Sequence, residues 1–121
     1  ITFDRTQTPE NYLRQLIHWL LDDAVDPDTS ALFLELWVLA KHHEFGADIL
    51  ERFYSTAIGW ICNALKIYFP NADDRQRECA AYFILTLSEG SVAVFSRAYP
   101  RSASQKEVGD LAVKVILTTL A

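Results

Sequence analysis

The sequence predicts an all-α fold, a five-helix orthogonal or antiparallel bundle. Three observations predict it. Apolar residues recur at three- and four-residue spacing along five stretches, the period of a helix with a face on a core. The four prolines, Pro9, Pro27, Pro70 and Pro100, fall at the joints between those stretches and none inside one. Proline breaks a helix interior but fits its first turn or the residues just past its end. Strand signals are missing, with no period-two run and no Asn-Gly or Asp-Gly hairpin turn. At 121 residues, the chain reads as one domain, 1–121, with residues 1–7 as the tail of a connecting helix.

Thr8-Pro9-Glu10 supplies an N-cap, a first-turn proline and an acid near the positive end of the helix dipole. The helix that follows carries Leu13, Leu16, Ile17 and Leu20 at helical spacing and should end near Asp23, before Asp26-Pro27. A second helix is expected from 28–30 to about 42. Its centre, 31–40, is apolar nearly all round apart from Glu35, and such a helix is expected to be surrounded by protein. His42-His43-Glu44-Phe45-Gly46 marks a break. The third helix then runs to about 69 with Phe53, Ala57, Ile61, Leu65 and Tyr68 as its core stripe, and Pro70 ends it.

Asn71, with Asp74 three residues on, resembles a capping arrangement. The fourth helix is expected over 72–98, roughly 40 Å at 1.5 Å per residue. Phe83, Leu87 and Val94 share one of its faces; Ile84, Ser88, Ser91 and Phe95 share another. Ser104-Gln105-Lys106-Glu107 is a capping box that opens a fifth helix to about 120. Its two apolar faces hold Val108, Leu111 and Val115, and Val113, Ile116, Leu117 and Leu120. Two helices apolar on both sides carry more apolar surface than this chain's own core can cover. A homodimer with two helices from each copy is the economical answer. The expected interface lies within 84–95 and 108–120, on Ile84, Leu87, Ser88, Gly90, Ser91, Val94, Phe95, Val108, Leu111 and Val115. Gly90, mid-helix there, is the expected point of close helix approach.

Eleven Lys and Arg against sixteen Asp and Glu give a net charge of −5, which argues against the chain gripping a phosphate backbone by itself. The charge is uneven: residues 1–70 carry −5 and residues 71–121 are neutral. The neutral half suits an interface, since interface cores are depleted in charge. The longest apolar run, 31–40, is short of a membrane span, and no signal-peptide pattern opens the chain. Cys62 and Cys79 make no disulfide framework, so a reduced, cytoplasmic setting is expected. A chain that starts at Ile1 and contains no methionine is expected to have lost an upstream part.

No nucleophile elbow, zinc-protease pair or phosphate-cradling glycine loop occurs, so neither catalytic residues nor a cofactor are assigned. His18, His42, His43, Cys62 and Cys79 lack the spacing of a metal site. Adjacent His42 and His43 would point about 100° apart on a helix. Trp37, Phe53, Trp60, Tyr82 and Phe83 lie on the three helices that would wall a pocket, with Tyr12 and Trp19 closing it from the first helix. They are either ordinary core or the lining of a ligand cavity. Glu35, in an apolar helix, is expected to be buried. It then either bonds a neighbouring helix or serves, with His18, as the polar handle for a ligand. Glu89 poses the same question.

The order of these features resembles a known family. Leu34-Glu35-Leu36-Trp37-Val38-Leu39-Ala40 is similar to the Glu-Leu-Trp-x-x-Ala segment of the C-terminal domain of TetR-like transcriptional regulators. A charged turn, 41–44, and a long helix with Phe53 and Tyr54 in its first half follow it. Ile84-Leu85-Thr86-Leu87-Ser88-Glu89-Gly90-Ser91-Val92 resembles the acid-glycine pair of that family's penultimate helix. The resemblance covers nearly the whole chain. It implies an effector-binding and dimerisation domain that pairs through its last two helices and encloses a small hydrophobic effector. It implies a repressor whose operator DNA is bound only through an N-terminal helix-turn-helix that this sequence lacks. The alternative is a ligand-free helical dimerisation or adaptor module.

Overall fold

The computed structural model describes residues 6–95 and 103–121. It is all-α, with no strand among the described residues: α1 (Pro9–Val25), α2 (Pro27–His42), α3 (Glu44–Tyr68), α4 (Asp74–Phe95) and α5 (Gln105–Leu120). The expected continuation of the fourth helix to 98 lies outside the described residues, as do residues 1–5 of the expected connecting-helix tail at 1–7; Thr6 and Gln7 form a turn and a bend rather than helix.

The joints follow from capping chemistry. Thr8 accepts a bond from the Asn11 amide and Pro9 is the first residue of α1. Asp26 serves two helices at once. Its amide bonds Asp23 O at 3.2 Å to close α1, and its carboxylate accepts the Asp28 and Thr29 amides at 3.2 Å to open α2. The second helix therefore starts at Pro27, ahead of the expected 28–30, and the first runs two residues past Asp23. A single residue, His43, separates α2 from α3. The crossing is tight: a Cβ on Gly46 would lie 2.7 Å from Leu39 Cγ. Asp73 and Gln76, not Asn71 and Asp74, make the reciprocal cap of α4, with the Gln76 amide 2.7 Å from Asp73 Oδ1. The Ser104–Glu107 capping box forms as the sequence predicts. Buried Arg77 binds the C-terminal end of α3 to α4, donating to Phe69 O at 2.9 Å and pairing with Asp74.

The core lies where α1 packs on α4 and α5 and where α3 packs on α4. Tyr12, Leu13, Leu16, Ile17 and Leu21 of α1 meet Ile61, Leu65 and Tyr68 of α3, Ala81 and Ile84 of α4, and Val113, Ile116 and Leu120 of α5. Tyr12 is fully buried and stacks on Tyr68 with ring centroids 4.1 Å apart, so it is a core residue rather than the pocket wall expected from its spacing. Trp19 is exposed. The α3 stripe splits: Ile61, Leu65 and Tyr68 enter the core, whereas Phe53 stays largely exposed beside α2.

Two expectations are corrected here. The second helix is not surrounded by protein. It packs chiefly on α3, only Ser30 is buried, and Leu32, Leu34, Val38 and Leu39 remain open. Periodicity reports that a helix is apolar all round but not how many neighbours reach it. Close approach also falls elsewhere. A Cβ on Gly90 or Gly59 would meet nothing within 4 Å, whereas one on Gly109 would lie 2.7 Å from the His18 ring. Gly109 lets α5 settle on α1. The fourth helix reaches the length and mean hydropathy, 1.3, of a spanning helix although no uninterrupted run in it is long. Within the described fold 33% of that stretch is buried, and Glu89 interrupts it.

Candidate functional site

A candidate site is an open groove of about 520 Å³ between α2, α3 and α4. Trp37, Tyr54, Tyr82, Leu85, Thr86, Glu89, Gly90 and Ala93 line it. Helical spacing delivers the α4 wall: Tyr82, Thr86, Glu89 and Ala93 stand at i, i+4, i+7 and i+11. The α2–α3 hairpin delivers the other wall. One hydrogen-bonded chain ties the three helices together. The Trp37 indole N–H donates to the Tyr54 hydroxyl at 2.8 Å, and that hydroxyl donates to Glu89 Oε2 at 2.8 Å. Each member uses the chemistry it has: indole only donates, phenol does both, and a carboxylate only accepts.

Burial dominates the electrostatics. It raises the Glu89 carboxyl above the ordinary glutamate range, and the hydrogen bond from Tyr54 offsets part of the rise. Burial is also the main cause that pushes the Tyr54 hydroxyl up to about 12, opposed by the Trp37 hydrogen bond and assisted by Glu89. Among the described residues no ion pair reaches Glu89; the four present are Arg14–Glu10, Arg14–Asp110, His18–Asp110 and Arg77–Asp74.

A second, narrow cavity of about 80 Å³ lies deeper among α1, α2, α3 and α4, and Phe33, Phe53, Trp60 and Ser88 are among its walls. Phe33 tilts onto Phe53 at 5.1 Å, and Phe53 meets Tyr54 edge-on at 5.6 Å. Glu89 and Leu85 line both the groove and this cavity, so the carboxylate stands between them.

The structure divides the residues singled out in the sequence. Trp37 and Tyr82 line the groove, and Phe53 and Trp60 line the inner cavity. Phe83 lines neither and lies 38% exposed on the adjoining face of α4. Glu35 is exposed on the outer side of α2, beside Leu34, Val38 and His42, so the expected burial does not occur. Its helix is open on that side. His18 faces α5, where its Nε2 lies 2.9 Å from Asp110 Oδ1, an atom that also accepts from Arg14 at 2.9 Å. The polar group of the groove is therefore Glu89, with Tyr54 beside it. The sequence posed the same question for Glu89 as for Glu35, and the signal that favours Glu89 is its place as the lone acid on the Tyr82–Thr86–Ala93 face.

The expected interface divides as well. Ile84, Ser88 and Ser91 are buried within this chain, and Ser88 Oγ reaches Leu20 O at 3.5 Å. They belong to the fold's own core, because the two apolar faces of α4 serve different purposes. Phe95 and Val108 are half-buried. Leu87, Gly90 and Val94 continue the Phe83 face, and Leu111 and Val115 lie 61% and 46% exposed on α5. Among the described residues no His, Cys, Asp and Glu side chains converge as metal ligands, and Cys62 and Cys79 are free thiols, Cys79 exposed. Comparison with protein-family models, with curated proteins and with solved structures yields no match to this chain.

Proposed function

We propose that the chain is the effector-binding and dimerisation domain of a TetR-like transcriptional regulator, a repressor released by a small hydrophobic ligand. The observation that carries this reading is the meeting of two unsatisfied surfaces on one helix. Along α4 an aromatic groove adjoins an apolar stripe on which Phe83, Gly90 and Val94 are exposed and Leu87 is half-buried against the core, and Gly90 belongs to both. The groove's volume, about 520 Å³, falls within the range of small-molecule sites, and it is mostly apolar with a few polar groups, as such sites are. The stripe on α4 and the Leu111–Val115 stripe on α5 supply an isologous surface for a second copy.

The mechanism follows from where the ligand sits. A molecule in the groove touches α2, α3 and α4 together and favours the arrangement that best encloses it. Such a ligand shifts the equilibrium only by the difference in its affinity for two arrangements. The dimer converts that shift into a changed separation of two operator-binding heads, which belong to an N-terminal module outside this sequence.

Native mass spectrometry of the purified chain tests the reading, with a dimer mass and a small molecule carried on it as the expected result. A chain that stays monomeric at micromolar concentration removes the proposal. The adaptor reading draws on the open outer face of α2, where Leu32, Leu34 and Val38 are exposed. It prevails if the chain dimerises and no hydrophobic probe alters its tryptophan fluorescence.

A further inference from the structure

The groove is apolar and aromatic, yet among the described residues its acid, Glu89, has no cationic partner. Glu89 Oε2 accepts the Tyr54 hydroxyl, while Oε1 takes no hydrogen bond from any described residue. None of the eight lining residues is Lys, Arg or His. A half-buried carboxylate with a spare oxygen costs folding free energy unless something else stabilises its charge. Nothing in the described fold does so beyond Tyr54. The residues 1–70, which supply two of the groove's helices, carry −5. That field attracts cations and repels anions.

We propose that the groove takes a hydrophobic organic cation, whose ammonium group pairs with Glu89 Oε1 while its apolar body lies along Trp37, Tyr82 and Leu85. The proposal rests on the effector reading and narrows its ligand to one chemical class. Each part of such a molecule has a counterpart. The ammonium gains a charge-assisted hydrogen bond to a half-buried carboxylate. The two aromatic side chains offer apolar surface and a negative ring face to the same positive charge. The Trp37–Tyr54–Glu89 chain holds the carboxylate in place before the ligand arrives, so little ordering remains for the binding step. A neutral ligand of the same shape would leave the carboxylate uncompensated, and an anionic one would oppose it.

Three probes with one apolar body and different head groups test this: 4-phenylbenzylamine, 4-phenylbenzyl alcohol and 4-phenylbenzoate. Their Kd values are measured by calorimetry and tryptophan fluorescence on the wild-type chain and on Glu89→Gln and Glu89→Asp. The amine should bind at least about ten-fold more tightly than the alcohol, the size of one charge-assisted contact, and the benzoate most weakly. Glu89→Gln should remove that preference and leave the alcohol's Kd within about two-fold, whereas Glu89→Asp should retain part of it. Circular dichroism verifies that both variants are folded. If amine and alcohol bind equally and Glu89→Gln changes neither, the cation proposal is overturned and the hydrophobic groove stands. If none of the three probes binds, the effector reading falls and takes this proposal with it.

Discussion

At Glu89 and Asp110 the same kind of side chain is shifted in opposite directions. Burial raises Glu89, so its native pKa lies above that of the unfolded chain. Its contribution is therefore fully present below the ordinary glutamate pKa and is lost as pH rises through the raised one. Glu89→Gln keeps an acceptor for Tyr54 without the charge. It should raise Tm at neutral pH, and the gain should vanish on acidification below the ordinary glutamate range. Asp110 is lowered, first by the hydrogen bond from His18 and then by the charges of His18, Arg14 and Lys106. Its contribution is present above the unfolded aspartate pKa and is lost as pH falls through the lowered one. Asp110→Asn should therefore lower Tm at neutral pH, with the deficit fading in acid. Thermal melts of the three proteins across pH check both signs. The glycines make a second pair. Gly109→Ala drives a Cβ into the His18 ring, which Asp110 holds, and should cost about 1–3 kcal/mol. Gly59→Ala enters open space in a helix interior and should stabilise by about 0.5–1 kcal/mol. Urea titration of both variants decides whether space or helix propensity governs each site.

Two uncovered stripes give the helices their consequences. Leu111 and Val115 are solvent-facing in a single chain, so an aspartate there costs the fold little. In a dimer it would sit in a dry interface without a partner. Leu111→Asp and Val115→Asp should therefore give folded monomers, with sedimentation velocity reporting the mass and circular dichroism the helix content. A wild-type monomer, or an unchanged dimer in both variants, would place the interface elsewhere. The tryptophans stand in three different places relative to the groove. Trp37 lines the groove, Trp60 the inner cavity, and Trp19 neither. Trp37→Ala should weaken the fluorescence response to a hydrophobic probe most, Trp60→Ala less, and Trp19→Ala least. The capping chemistry at Thr8 and Ser104 was legible from short sequence patterns because each cap is made within four residues. Asp26 as a double cap was not, since it depends on two helices ending and starting at one residue.

For the molecule as a whole, net charge governs what it will leave alone. With −5 overall and a neutral second half, the chain has no net positive charge with which to attract a duplex. Fluorescence anisotropy with labelled duplex DNA at physiological salt should show no binding by this chain. Saturable binding would mean that a DNA-reading surface lies within these helices. The packing also sets where substitutions are tolerated. Residues on α1 touch all four other helices and should be the least tolerant, whereas the outer side of α2 touches none.

By itself the sequence determined the number of helices, their approximate limits, and the fact that α4 and α5 are apolar on two sides. Those properties are set within a few turns of chain, by proline, capping groups and a period of three to four residues. It also placed the aromatic residues on α2, α3 and α4. Only the tertiary structure decided which apolar face of each helix enters the core, why Glu89 rather than Glu35 meets the aromatics, and why His18 pairs with Asp110 across 92 residues. Helical periodicity fixes which side chains share a face. Which face meets which depends on how α1 settles between α4 and α5 and leaves α2 on the outside, a balance summed over the whole chain.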